Sequence, residues 1–478
     1  MRVVVIGAGM AGMRLCADLV AGDPGRRHEI TVFGAEPEPP YNRVLLSSVL
    51  AETFPLRGIA MPPAPDRVRL RMGHSIDHVN RGARVVRTVH GDTVGYDVLV
   101  FATGSTPVVP TVPGLAGPNG LPAGALTFRT AADCRAIVAA ARQGGRAVVL
   151  GGGPLGVEAA RALVGRGMAV DLVHQRRHLL DRHLDKTGSR ILGMALAGHG
   201  VRVHVDASVT EVLGESDTVS GVRLADGQVL DCGLLVLACG TRPEVELAKA
   251  CGLAVNSGVV VDNRMRSITD PAVYAVGDCA EHDGVVHGLL EPAWDQASIA
   301  AASIAGWASA PRQRPLRPVL RLKTRDIELA AMGESAAAAD ADHVSEVVVF
   351  TDQARGVYKK LVLRDGVIVG AVLLGDLRTI GAVTDLFDRV RRVPPDPAAL
   401  LFDLGSSGGN ADEAIVCRCN AVSAAAIRAC GGRTVSEVAD RTRATTGCGG
   451  CAGEIAALLG QSFEQHSLAS LAEESVNQ

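Results

Sequence analysis

Residues 1–7, MRVVVIG, form an unbroken apolar run rich in β-branched side chains, the pattern of a strand buried on both faces. Gly7, Gly9 and Gly12 follow at once, and an amphipathic stretch from Met13 to Leu19 continues them. Strand, glycine turn and helix are therefore expected in that order. The pattern recurs from Ala147 as AVVLGGGPLGVEAARALVGRG, with Gly151, Gly153 and Gly156 at the same spacing. Two more buried-strand runs end in glycine beside a small or acidic residue: residues 96–110 (YDVLVFATGSTPVVP) and 267–284 (SITDPAVYAVGDCAEHDG). Between Arg317 and Asp376 apolar and polar residues alternate (VLRLK, IELAAMG, SEVVVF, YKKLVL, VIVGAVLLG), predicting the half-exposed strands of an α+β domain. Pro, Gly and Ser crowd residues 391–412, as in a linker. A compact stretch, 413–460, follows, in which SAAAIRAC and VSEVADRTRA predict a short helical hairpin. Residues 461–478 read as a polar, frayed tail.

One G-x-G-x-x-G is a weak signal. Two copies, each between a Val-rich strand and an amphipathic helix, point to two dinucleotide-binding units rather than two ordinary strand–turn–helix pieces. Such glycines let the backbone approach a pyrophosphate, and the helix N-terminus then faces the anion with a partial positive charge. After the second strand of the first unit, EITVFGAE, the nearest acid is Glu36. It is the candidate for the ribose hydroxyls, with a solvated loop acid as the alternative. The matching strand of the second unit, AVDLVHQRR, ends at His174 without an acid, and Arg176 and Arg177 follow. Arginines there suit a 2′-phosphate, so the reading favours NADPH over NADH, with a solvated charge run as the alternative.

At 478 residues the chain has room for two to four domains, and 47% hydrophobic with 21% charged residues is ordinary for a globular protein. Lys plus Arg number 48 and Asp plus Glu 51, a net charge of −3, which supplies no field for nucleic acid or an anionic membrane. Only 3% of residues are aromatic, which argues against base-stacking platforms. No apolar run reaches the ~18 residues of a membrane span. The opening could pass for a signal peptide, but its glycine spacing assigns it to the first nucleotide unit, and a cytoplasmic protein is expected.

Of eleven cysteines, Cys16, Cys134, Cys232, Cys239, Cys251 and Cys279 are scattered and read as small buried hydrophobes. Cys417, Cys419, Cys430, Cys448 and Cys451 fall within 35 residues, which reads as a metal or redox module. The spacing is C-x-C, 28 residues, C-x-x-C, with Cys430 outside it and assigned to core. Four thiolates suit zinc or an iron–sulfur cluster, and a first pair spaced by one residue counts against zinc. No C-x-x-C lies near either nucleotide unit, so no redox-active dithiol is expected.

The order of first unit, ATG strand, second unit, GTRPE strand (residues 240–244) and GDC strand resembles the two-dinucleotide-fold flavoprotein reductases, over about residues 1–300. The resemblance implies an α/β glutathione-reductase-like fold with the second Rossmann-like unit inserted into the first. An FAD domain would span 1–113 and 240–312, an NAD(P)H domain 114–239, and an interface domain 313–390. It implies that residues 40–48, PYNRVLLSS, run along the flavin and its diphosphate. Arg43 is then a diphosphate or flavin contact, against the alternative of a solvated loop cation. Thr103 and Gly104 of the ATG strand would join the FAD site, as would Asp278, which would accept hydrogen bonds from the ribityl chain or cap a helix. A helix opening near Glu291 would aim its N-terminus at the flavin pyrimidine. Glu158 would lie near the nicotinamide and, with Arg43, is the catalytic candidate; its alternative is an exposed acid in a first helical turn. The lysine that many such reductases carry near Ser48 is absent, so no Lys–Glu pair is expected at Glu158.

The CxCN and TGCGGC segments resemble bacterioferritin-associated-ferredoxin-type domains, which implies a 2Fe–2S cluster on Cys417, Cys419, Cys448 and Cys451. Over about residues 1–455 the chain resembles the N-terminal half of assimilatory nitrite reductase large subunits. It equally resembles the separate electron-transfer subunit of assimilatory nitrate reductase. That implies oxidation of NADH or NADPH, with electrons leaving through FAD and the cluster to a redox partner. The first candidate partner is a molybdenum nitrate reductase catalytic subunit, and a nitrite reductase the next. No siroheme-type cysteine set follows the module, so nitrite reduction on this polypeptide is not expected. Exposed ligand loops and a swinging linker would bring the cluster to its partner. The competing readings are a self-sufficient NAD(P)H oxidase and a non-enzymatic redox-sensing or ferritin-docking protein.

Overall fold

A computed structural model describes residues 1–307, 317–336, 345–402 and 415–460, apart from 118–119, 216, 318, 325, 418–419, 421 and 448. The expected tail, 461–478, and residues 403–414 of the expected linker lie outside the described residues.

The first glycine unit opens a five-stranded parallel sheet in the order Val273–Ala275, Val98–Phe101, Arg2–Ile6, Glu29–Gly34, Val68–Met72. Val3, Val4 and Val5 are fully buried in its centre, as the unbroken apolar run requires. Its last strand arrives after the whole second unit, so the second unit is inserted into the first. The helix Met10–Ala21 packs on the helix Leu290–Ala305, whose Ala297, Ala300 and Ala301 are wholly buried. Small side chains there allow close approach of the two helices.

The second unit builds its own parallel sheet: Val201–His204, Ala169–Val173, Arg146–Leu150, Leu234–Leu237, Ala125–Thr127. The two sheets are joined through Ser105–Pro107 and Thr241–Pro243, paired antiparallel. Two small antiparallel sheets, 76–95 and 209–231, decorate these units.

The third sheet is antiparallel, ordered Val319–Arg321, Leu329–Gly333, Val367–Leu374, Val357–Arg364, Glu346–Asp352. Here the expectation of half-exposed strands fails for the inner strands. Every residue from Tyr358 to Leu363 is buried. One face carries the helix Ile380–Arg389 with Leu400 and Leu401. The other carries the second nucleotide unit, with Tyr358, Val372 and Leu374 in one core with Ile191 and Leu192. The alternation therefore includes Lys359 and Lys360, which point to opposite faces and are both buried. Lys359 Nζ donates to Asp376 Oδ2 and to Leu401 O, both at 2.8 Å. Lys360 Nζ meets Asp185 Oδ2 at 2.5 Å, an atom that also accepts from Tyr358 Oη at 2.6 Å. Residues 397–402, expected to belong to a linker, instead pack on this domain through the short helix Pro397–Leu401.

The last module has the strand pair Ile415–Cys417 and Val422–Ser423 and the helices Ala424–Ala429, Val435–Thr442 and Ala452–Leu458. Among the described residues, no helix is long and apolar enough to cross a membrane.

Candidate functional site: two nucleotide cradles and a cysteine module

The first strand ends in a turn through Gly7 at φ +115°, where any Cβ would overlap the carbonyl oxygen of Ala102. A Cβ on Gly12 would overlap the Gly7 carbonyl, so this glycine sets how closely helix and turn pack. Gly9 faces open space, with only the Arg43 guanidinium 3.9 Å from where its Cβ would be. The second turn repeats the plan. Gly151 has φ +122° against Ala238 O, Gly156 closes on Gly151 O, and Gly153 has nothing within 4 Å. Neither following helix, Met10–Ala21 or Pro154–Gly165, has a side-chain cap. Each cradle thus presents helical N–H groups to an open space, which fits the pyrophosphate of a dinucleotide.

Around the first cradle the structure gathers a polar cluster. Glu36 Oε1 accepts from Arg43 Nη2 at 3.0 Å, and Glu36 Oε2 from Tyr41 Oη at 2.5 Å. Arg43 stacks its guanidinium over the Tyr41 ring at 5.5 Å. Asp278 Oδ2 accepts from Ser105 Oγ at 2.7 Å and from Arg129 Nη2 at 2.9 Å. Sequence reasoning missed Arg129, although it stands just before the Thr130–Asp133 capping box that fixes the next helix. Burial lowers the Arg129 pKa most; Asp278 opposes that shift, and the nearby Arg43 cation adds to it. Arg43 beside the open glycine turn, with Arg129 in electrostatic reach of it, fits a diphosphate. Thr103 Oγ1 donates to Glu244 O at 2.6 Å, and Glu244 N donates to Gly104 O at 2.9 Å. Those two residues thereby tie the ATG strand to the GTRPE strand at the crossover. Gly277 N donates to the buried Gln296 Oε1 at 2.9 Å, which sets the GDC turn against the helix Leu290–Ala305.

At the second cradle the residues expected to read the ribose separate into three roles. His174 is 9% exposed, and its Nδ1 accepts from Gly152 N at 3.1 Å. Burial lowers its pKa more than Asp181 raises it. His174 is thus a neutral prop under the glycine turn, which leaves a 2′-phosphate to the arginines. Arg177 makes an exposed ion pair with Asp206 at 3.7 Å. Arg176 is exposed.

Glu158 is 3% exposed, not the exposed first-turn acid of the alternative reading. Its Oε1 accepts from Lys323 N at 2.9 Å and Lys323 Nζ at 3.0 Å. The Lys–Glu pair judged absent from sequence is therefore present, with the lysine supplied by the third domain. A small cavity lined by Glu158, Lys323, Arg161, Arg166 and Glu52 opens beside this pair.

In the last module Cys417 and Cys451 are 2% and 6% exposed and belong to one small core with Ile427, Val438 and Ile455. Cys419 and Cys448 lie outside the described residues. Asn420 Nδ2 approaches Cys417 Sγ at 3.9 Å, and Cys451 directly precedes the helix Ala452–Leu458. Two buried soft donors, one of them in a glycine-rich turn at a helix start, fit an iron–sulfur cluster. Cys430 packs half-buried against the same core. Elsewhere Cys16, Cys134, Cys232 and Cys279 are buried as expected, whereas Cys239 and Cys251 are half-buried. Burial pushes the Cys16 thiol up to about 12, and those of Cys134, Cys232 and Cys239 up to about 11. These are poor nucleophiles.

Three family models match the chain. Residues 1–305 match the pyridine nucleotide-disulphide oxidoreductases, 318–389 the rubredoxin NAD+ reductase C-terminal domain, and 415–461 the BFD-like [2Fe-2S] binding domain. The nitrite reductase [NAD(P)H] of Bacillus subtilis is 33% identical over 98% of the chain. The assimilatory nitrate reductase electron transfer subunit of the same organism is 32% identical over 94%. The chain spans 58% of the length of each. Among solved structures, the ferredoxin reductase for the CYP199A2 system of Rhodopseudomonas palustris superposes with a TM-score of 0.74 at 25% identity. The match covers 85% of this chain and all of that one. The putidaredoxin reductase–putidaredoxin complex follows with a TM-score of 0.72 at 25% identity, covering 84% of this chain and 96% of that one. The chain belongs to the pyridine nucleotide-disulphide oxidoreductase family, as an oxidoreductase that binds FAD and NAD(P)H and carries a BFD-like 2Fe–2S domain.

Proposed function

We propose that this chain oxidises NAD(P)H and delivers electrons singly, by way of FAD and the cluster, to a separate redox partner. The partner favoured is the molybdenum-containing catalytic subunit of an assimilatory nitrate reductase. The observation that carries the reading is the seating of Thr446, Gly447 and Gly449, neighbours of the expected cluster ligands, against Asn42 and Leu45 of the segment that carries Arg43. A nicotinamide gives up two electrons together and a cluster accepts one at a time; a bound flavin exchanges electrons with both.

The residues would divide the work as follows. Gly7, Gly9 and Gly12 shape the FAD cradle, while Arg43 and Arg129 balance diphosphate charge. Glu36 and Asp278 would take ribose and ribityl hydroxyls. Gly151, Gly153 and Gly156 shape the nicotinamide cradle, propped by His174. Glu158, fixed by Lys323, would hold a carboxylate beside the nicotinamide. Cys417, Cys419, Cys448 and Cys451 would ligate the cluster. With a molybdenum nitrate reductase catalytic subunit and NAD(P)H, reconstituted nitrate reduction is expected to require this chain. Equal turnover without it would contradict the reading. An oxidase working alone is disfavoured because the scattered thiols are buried or half-buried with raised pKa, and the cluster module is seated at the segment that carries Arg43. Oxygen consumption unchanged in a cluster-free variant, at the full rate of NAD(P)H oxidation, would favour it instead.

Arg176 and Arg177 are the exposed cations that would select the 2′-phosphate, Arg177 being already paired loosely with Asp206. Arg176→Ala is expected to lower kcat/KM for NADPH by about 10-fold, the worth of one charge-assisted contact of ~1.4 kcal/mol, with little change for NADH. An unchanged ratio of the two constants would make Arg176 a solvated edge residue.

A further inference from the structure

The cysteine module meets the rest of the chain through a small polar contact whose donors and acceptors divide cleanly. Asn42 is 4% exposed, and its Oδ1 accepts from Val44 N at 3.1 Å, which caps the short helix Arg43–Leu45 and fixes the amide. Its Nδ2 is thereby aimed outward and donates to the carbonyl oxygens of Thr446, at 2.9 Å, and Gly447. Beyond position 448 in the chain, Arg321 Nη1 donates to Gly450 O at 2.9 Å, and Arg321 Nη2 pairs with Glu454 Oε1 at 2.6 Å. Gly449, between these anchors, lies close on Leu45. A Cβ on Gly449, itself at φ +73°, would come 3.1 Å from Leu45 Cδ2. Arg443 of the module comes within electrostatic reach of Arg14 and Asp18 on the first nucleotide helix.

The two anchors come from different domains, Asn42 from the segment that carries Arg43 and Arg321 from the third sheet. Carbonyl groups accept from both, so an acidic residue at either anchor would repel the loop rather than hold it. Because the module is covalently attached, a few such bonds suffice to keep it seated. Seating also matters for rate, since electron tunnelling falls steeply with separation.

We propose that Asn42 and Arg321 form an internal docking site that seats the glycine-rich cysteine loop against the flavin segment and sets the rate of electron exit from the flavin. They are positioning residues, and the rate-setting part rests on the reading of the module as the electron exit. Thr446, Gly447, Gly449 and Gly450 are thus docked rather than exposed, while residues 403–414 of the linker expected to let the module swing lie outside the described residues.

Asn42→Asp keeps the cap on Val44 and replaces the donor by a charge facing carbonyls, and Arg321→Gln removes the ion pair while staying outside both nucleotide cradles. Two measurements on the full-length holoprotein separate the possibilities. In hydrogen–deuterium exchange, the peptide spanning residues 444–452 is expected to exchange at least tenfold faster in both variants, while the helix Val435–Thr442 exchanges as in the parent. In anaerobic rapid mixing with NAD(P)H, Arg321→Gln is expected to reduce its flavin at the parent rate and its cluster at least tenfold more slowly, with iron content unchanged. Exchange unaltered in both variants would overturn the docking site. Faster exchange with parent-rate cluster reduction would overturn its control of electron exit. A parent protein whose iron is present but never reduced by NAD(P)H would refute the electron-exit reading itself, while the exchange result would still decide whether the loop docks.

Discussion

Cys451→Ser is expected to empty the last module of iron and to stop electron delivery to a partner protein, while FAD stays bound and its reduction by NAD(P)H continues. The serine oxygen is a hard donor that stays protonated where a thiolate would bind ferric iron. Changes merely in the outer shell of a metal site cost ~10–100-fold in metal affinity, so loss of a ligand is expected to cost more. FAD would be spared because the cradle proposed for it, from Gly7 to Arg129 and Asp278, shares no residue with the module. Iron content, cluster absorbance and flavin bleaching check each part. Bound iron at the parent level in Cys451→Ser would remove that residue from the ligand set.

Asp185→Ala is expected to destabilise the chain by about 3 kcal/mol, because it removes a carboxylate that pairs with the buried Lys360 ammonium. The same substitution removes the N-cap of the helix Lys186–Gly198, where Asp185 Oδ1 accepts from Gly188 N at 2.9 Å. It thereby loosens the third sheet from the second nucleotide unit. Burial alone would raise the Asp185 pKa. The Gly188 N–H, the Lys360 ammonium and the Tyr358 hydroxyl together hold it below the ordinary carboxylate value. A depressed pKa means the contribution is complete above ~pH 4 and is lost as pH falls further, so parent and variant should converge in acid. Denaturant unfolding at neutral and acid pH measures both. A difference below about 1 kcal/mol at neutral pH would show that Lys360 is satisfied by other groups.

What could be read from the sequence was local. The glycine fingerprints at Gly7 and Gly151 carry their own strand, turn and helix, and the structure uses them as expected. The helical hairpin between the cysteine pairs was legible for the same reason. What escaped depends on residues far apart in the chain. Arg129 meets Asp278 across 149 positions and Lys323 meets Glu158 across 165. No spacing rule reports such pairs. The alternation around Lys359 and Lys360 indicated strands correctly but not what covers them, because one strand does not say whether its polar face meets water or another domain. The state of His174 was hidden for a related reason. As a residue type it offers a cation, yet the Gly152 N–H and its burial make it a neutral acceptor.

The passage of electrons from NAD(P)H through the flavin into the cluster underlies the proposed function. It is tested most directly by mixing the anaerobic holoprotein rapidly with NADPH or NADH while following flavin absorbance, and by recording the electron paramagnetic resonance of samples frozen at successive times. The flavin is expected to bleach first, and the signal of a one-electron-reduced 2Fe–2S cluster then to rise to about one spin per chain. A flavin that bleaches fully while the iron stays oxidised would contradict it, as would a module that holds zinc and no iron.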